Sequence, residues 1–213
     1  MPDLKWIVEK VIQENPQVFS GDFSEDLDMI EAIDNRIADT ADRINRMKEW
    51  LRSYSVVRPW KTEIRLKIAG QILSFADIRK HECLGQDQDL IISEFLKLKE
   101  MILVVVPISE VTGKKREVTS LTSKALWCCY PHDIPILDDY AERALQVISR
   151  ILRLAPATEK PRYSAFVDVW FQVYDEIKLV IDKPELNKYK YKVRVLDKLL
   201  WYLGQHSFDK PHP

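Results

Sequence analysis

Glycine is scarce in this chain: five in 213 residues, at positions 21, 70, 85, 113 and 204. Tight turns that demand a left-handed residue are therefore few. Neither GxGxxG nor GxxxxGK[ST] occurs, which excludes the glycine-rich loops that cradle nucleotide phosphates. Three cysteines at unhelpful spacing argue against a disulfide scaffold. The longest apolar run, Met101 to Ile108, falls far short of the ~20 residues a membrane-spanning helix needs. The opening MPDLKWIVEKVIQ lacks the basic flank and unbroken apolar core of a secretory signal. An excess of either charge is missing too, since 32 Lys and Arg face 33 Asp and Glu. Any nucleic-acid contact must then come from a local basic face. The expectation is a cytoplasmic protein with no cofactor and no membrane contact.

What is present points to helices. Hydrophobic residues make up 46% and charged residues 31%, enough apolar material for a packed core. Asp3 to Gln13 reads as a short helix that stops near Asn15-Pro16, because the residue before proline disfavours helical geometry. Leu27, Ile30, Ile33, Ile37, Ala41, Ile44, Met47 and Leu51 recur at three- and four-residue steps, predicting one long amphipathic helix from Asp26 to Leu51. Ile64 to Ile78 and Leu90 to Met101 continue in helical spacing, while Val104-Val105-Val106 suits either a helix end or a short buried strand. Further helices are predicted near 120–130, 138–154, 162–181 and 189–203. The fold class is all-α: one globular domain, with possible lobes at 1–106 and 119–205 joined by the connection 107–118.

Chemically capable residues crowd into SLTSKALWCCYPHDIPILDDY, Ser120 to Tyr140. Thr119 or Ser120 is placed to cap a helix that Pro131 ends. Asp138 or Asp139 is placed to cap the next, and Asp139 with Glu142 has capping-box spacing. Two capped helices around a rigid turn account for most of the segment. Cys128 and Cys129 are adjacent, so on a helix they diverge by about 100° and converge poorly on a metal. They read as small core residues, and no metal site is expected. Tyr163, Phe166, Trp170 and Tyr174 follow helical spacing and read as core, with Trp201 beside them.

The same segment resembles the catalytic segment of helix-hairpin-helix DNA glycosylases, of the 8-oxoguanine type. In that family a lysine near the start of the first helix attacks the sugar C1′, and an aspartate opening the next helix assists. Pro135-Ile136-Leu137-Asp138 matches the aspartate element, and the resemblance gives that role to Asp138. Alignment on Asp138 puts Ser120, or a neighbour, at the nucleophile's position, with Lys124 one turn further along. No glycine occurs between residues 114 and 203, so the family's hairpin glycines are missing. The resemblance implies a glycosylase-like C-terminal lobe that binds DNA without excising bases.

Two basic stretches fit a nucleic-acid role: Lys114-Lys115-Arg116, and Lys188, Lys190, Lys192 and Arg194 alternating with Tyr189 and Tyr191. The expected DNA contacts are Lys114, Lys115, Arg116 and Ser120. One alternative is an enzyme with a small-molecule pocket between the lobes, in which Asp138 and Lys124 serve as acid/base or nucleophile. The other is a helical interaction or assembly protein, self-associating through the 26–51 helix.

Overall fold

The computed structural model describes residues 4–15, 24–34, 39–53, 60–79, 82–154, 160–182 and 191–206. The described residues form α1 (Leu4–Glu14), α2 (Ser24–Asp34), α3 (Thr40–Ser53), α4 (Thr62–Ile78), α5 (Gln88–Val105), α6 (Thr119–Cys129), α7 (Asp139–Ile151), α8 (Arg162–Ile181) and α9 (Lys192–His206). Among them the only extended pairing is an isolated antiparallel bridge between Ile108 and Lys115. The fold is all-α. Val104 and Val105 continue α5, and the Val106 amide still donates to the Ile102 carbonyl at 3.3 Å. The β-branched run is thus a helix end. No helix among the described residues is long and apolar enough to cross a membrane.

The chain divides into two compact units, one comprising residues 1–21 and 135–213, the other 22–134. The 107–118 connection falls inside the second. In the first unit, α9 packs against α7, and α8 packs against α7 and α1. α8 buries Tyr163, Phe166 and Trp170, at the three- and four-residue steps of a helix facing its core. Trp201 departs from the expectation. It is exposed on α9 and meets the Tyr140 ring edge-on at 6.3 Å, because the apolar stripe of α9 runs through Leu196, Leu199, Leu200 and Leu203 instead.

In the second unit the expected Asp26-to-Leu51 helix is two helices, with residues 35–38, including Ile37, outside the described set. Asp39 starts α3 by accepting the Ala41 amide on its carboxylate (3.2 Å). Arg43, buried on α3, donates to the carbonyls of Ala32 (3.0 Å) and Ile33 (3.2 Å) near the end of α2. Carbonyls in the last turn of a helix generally need a partner from outside it. Trp50 Nε1 donates to Asp26, joining the far end of α3 to the start of α2. The apolar rhythm spans both helices, yet Leu27 and Ala41 are exposed while Ile33, Met47 and Leu51 are buried within the unit. Part of the stripe expected to serve self-association, Ile33, Met47 and Leu51, thus packs inside the unit.

Candidate functional site

Residues 119–140 begin in one unit and end in the other. Within the second unit α6 is the most enclosed helix, with Thr119 and every residue from Leu121 to Cys129 buried. A helix with no solvent face must satisfy its polar side chains locally. Thr122 Oγ1 donates to the Val118 carbonyl (2.8 Å), and Ser123 Oγ donates to the Ser120 carbonyl (3.1 Å). Lys124, 7% exposed, donates from Nζ to Ser120 Oγ at 3.0 Å. Two expected site residues, Lys124 and Ser120, are therefore bonded to each other.

Neither Thr119 nor Ser120 caps α6 by its side chain. Glu117 does so from outside the helix, accepting from the Val118 amide (3.0 Å), the Thr119 amide (2.8 Å) and the Thr119 hydroxyl. Partial burial would raise the Glu117 pKa. The two Thr119 hydrogen bonds, with Lys99 at 3.2 Å, outweigh it and hold the carboxyl down to about 2. A carboxylate takes several N–H donors at once, where a hydroxyl takes one or two, so the acid displaces the expected threonine or serine cap.

After α6 the chain turns at Tyr130, whose hydroxyl donates to Glu94 on α5 (3.3 Å) and whose ring lies under the Arg79 guanidinium at 5.8 Å. Asp133, also buried, accepts the Leu84 amide at 2.7 Å. Cys128 and Cys129 sit in this core, as their small size predicts. Burial pushes the Cys129 thiol up to about 12, although Arg79 beside it pulls the other way. Such a thiol is inert as a nucleophile. Among the described residues, no group of three His, Cys, Asp or Glu side chains could hold a metal ion.

The first unit receives the chain at Pro135. Its carbonyl accepts from Tyr163 Oη (2.9 Å), and the Ile136 amide donates to both oxygens of Asp197, 3.2 Å from each. Trp170 Nε1 donates to the same carboxyl group at 3.0 Å. Burial drives the Asp197 carboxyl up to about 8, against the pull of Arg194, the Ile136 amide and the Trp170 indole. Asp138 then caps α7, accepting the Tyr140 (3.0 Å) and Ala141 (2.9 Å) amides on Oδ1. Asp139 and Glu142 form no capping box; both bind Arg162 of α8, at 2.8 and 2.6 Å. That pairing, led by the Glu142 hydrogen bond, raises the Arg162 pKa further.

The basic residues of 114–116 stand apart from this network. Gly113, at φ +65°, closes a turn in which its amide donates to the Ser109 carbonyl (2.8 Å) and the Ser109 amide donates to that of Lys114 (2.9 Å). Lys115 reaches back to the Leu103 carbonyl near the end of α5, where a cation also meets the negative end of the helix dipole. Lys114 and Arg116 are exposed, and their side chains make no hydrogen bond or ion pair among the described residues. Around them Val104 (76%), Ile108 (60%) and Val111 (94%) are unusually exposed for aliphatic side chains. Of the second basic stretch, Lys188, Tyr189 and Lys190 lie outside the described residues. Lys192 extends to the Ile181 carbonyl at 3.5 Å.

No family model matches the chain, and no curated protein or solved structure matches it.

Proposed function

We propose that this helical protein binds nucleic acid through the turn bearing Lys114, Lys115 and Arg116, and does not excise bases. One observation carries the reading: two of these cations are exposed and unpaired among the described residues, on a turn held in shape by Gly113 and by Lys115. Unneutralised cations on a fixed turn gain most from meeting phosphates, through release of the counterions condensed on the nucleic acid. The glycosylase-like fold belongs to the same proposal. The absence of excision rests on the two residues that would carry it. Lys124 is buried and bonded to Ser120, and Asp138 uses Oδ1 to cap α7.

The test is fluorescence anisotropy with labelled intact and abasic duplexes across a salt series. With two phosphates neutralised, log K falls against log salt with a slope of about −2. Lys114→Ala with Arg116→Ala removes most of that slope. No binding at low salt, or a slope untouched by the double substitution, overturns the reading.

A second reading has its own support in the exposure of Val104, Ile108 and Val111 beside the cations. A protein partner with an acidic and apolar surface fits that combination. Val111→Ser would then weaken the complex, whereas phosphate binding would be left almost unchanged by it.

A further inference from the structure

The first unit contains a cleft of about 510 Å³ between α7 and α8. Its size lies within the range of small-molecule sites, roughly 300–1,000 Å³. Leu145, Leu154, Phe166 and Val169 give it an apolar lining, and Arg150 and Arg162 bring charge to it. We infer that this cleft binds a small amphipathic carboxylate, with its apolar body between the helices and its headgroup on Arg150.

The charge pattern selects the ligand. Glu142 and, from beside the cleft, Asp139 both bind Arg162, so that cation is already neutralised. The Arg150 guanidinium makes no ion pair or hydrogen bond among the described residues. One uncompensated guanidinium suits a monoanion, and its planar fork matches a carboxylate. A neutral amphiphile would forgo that bond, and a cationic one would be repelled.

The backbone beside the cleft supports the same use. α7 ends in a Schellman motif, in which the Leu154 amide donates to the Ser149 carbonyl (2.9 Å) and the Arg153 amide to that of Arg150 (3.2 Å). The left-handed position of that motif, normally glycine, is Arg153 at φ +55°. This turn brings Leu154 back to line the cleft, and the strain it carries sits beside a candidate binding surface.

The experiment titrates the full chain with decanoate, 1-decanol and decyltrimethylammonium, each below its micelle concentration, by calorimetry and by amide chemical shifts. Decanoate is expected to bind most tightly and to shift residues of α7 and α8. Arg150→Gln should weaken decanoate about tenfold or more and leave 1-decanol unchanged. Ala165→Phe, which fills the cleft, should remove binding of both. Equal affinity for decanoate and 1-decanol, unchanged decanoate binding in Arg150→Gln, or binding that survives in folded Ala165→Phe each overturns the inference. Arg150 is exposed, so its substitution decides the matter alone if the filled variant does not fold.

Discussion

Ile136 donates its backbone N–H to both carboxyl oxygens of Asp197, a residue 61 positions further along the chain. The turn that opens α7 is therefore fixed by a buried acid on α9, which also holds the Trp170 indole. Asp197→Ala leaves two buried donors without an acceptor, each costing about 1–3 kcal/mol. We expect urea unfolding to report a loss of about 2–5 kcal/mol. Asp197→Asn, which keeps an acceptor oxygen, should lose less. Equal losses for the two variants would show that the hydrogen bonds are not what Asp197 contributes.

The same carboxyl makes stability depend on pH in a direction unusual for an aspartate. Its folded pKa, about 8, lies above its ordinary value of 3.8, because burial outweighs Arg194 and the two N–H donors, and Asp138 adds a further push upward. Between those values the folded protein keeps a proton that the unfolded chain has released. The contribution is full below about pH 4 and is lost as pH rises through about 8. Glu117 acts in the opposite sense, its contribution being present above about 4.5 and lost as pH falls towards 2. Urea midpoints from pH 5 to 9 isolate Asp197. The native protein should weaken across that range, and Asp197→Asn should show a flatter profile. Parallel profiles would rule the acid out as the source.

Much of the fold was legible in the sequence, because apolar spacing reports helices directly. α4, α7 and α8 lie where the sequence predicts helices, and Pro131 marks the end of α6 within two residues. The break between α2 and α3 was hidden because the apolar rhythm runs on through Ile37 and Ala41, while Asp39 carries the cap signal inside it. At the candidate site, the Asp138 cap was legible, since a cap bonds to its own next residues. Asp197 left a trace, a charge between Val193 and Leu200 on an apolar stripe, but its partners are 27 and 61 residues away. Local spacing carries no information about such pairings. Glu117 was missed for a different reason: it lies outside the helix that it caps.

Two glycines on helices should respond oppositely to the same substitution. Gly70 lies inside α4, and a Cβ there would meet nothing within 4 Å. Gly70→Ala should stabilise by about 0.5–1 kcal/mol, by reducing the freedom of the unfolded chain. On α9, a Cβ at Gly204 would fall 2.6 Å from the Tyr140 carbonyl carbon and closer to its oxygen. Those are backbone atoms at the start of α7, which cannot swing aside. Gly204→Ala should therefore destabilise by about 1–3 kcal/mol despite its better helix propensity. Thermal melts of the two variants give the comparison, and a rise for both would mean that α9 can shift off α7 at little cost.

Arg43 joins three helices through one guanidinium. Besides the Ala32 and Ile33 carbonyls of α2, it binds Asp77 of α4 at 2.8 Å. Arg43→Met keeps the length and removes every donor that the Ala32 and Ile33 carbonyls and Asp77 receive from it. A loss of about 2–4 kcal/mol is expected by urea unfolding. Arg43→Lys should recover little, since an ammonium cannot reproduce the planar fork that spans the carbonyls and the carboxylate. Full recovery by lysine would reduce the role of Arg43 to its charge.

Arg153 tests whether the end of α7 carries strain. A non-glycine residue in the left-handed region brings its Cβ against the neighbouring carbonyl, at a cost of about 1–2 kcal/mol. Here the position is imposed by the two hydrogen bonds that close the helix, from Arg153 to Arg150 and from Leu154 to Ser149. Glycine satisfies the same bonds without the clash, though its unfolded state is more flexible. Arg153→Gly should therefore raise stability by a net amount of about 0.5–1 kcal/mol. Arg153→Val should lower it, because a β-branched side chain tolerates this conformation worst. Chemical denaturation of the pair measures both signs. A loss in the glycine variant would mean that the Arg153 side chain contributes more than its backbone strain costs.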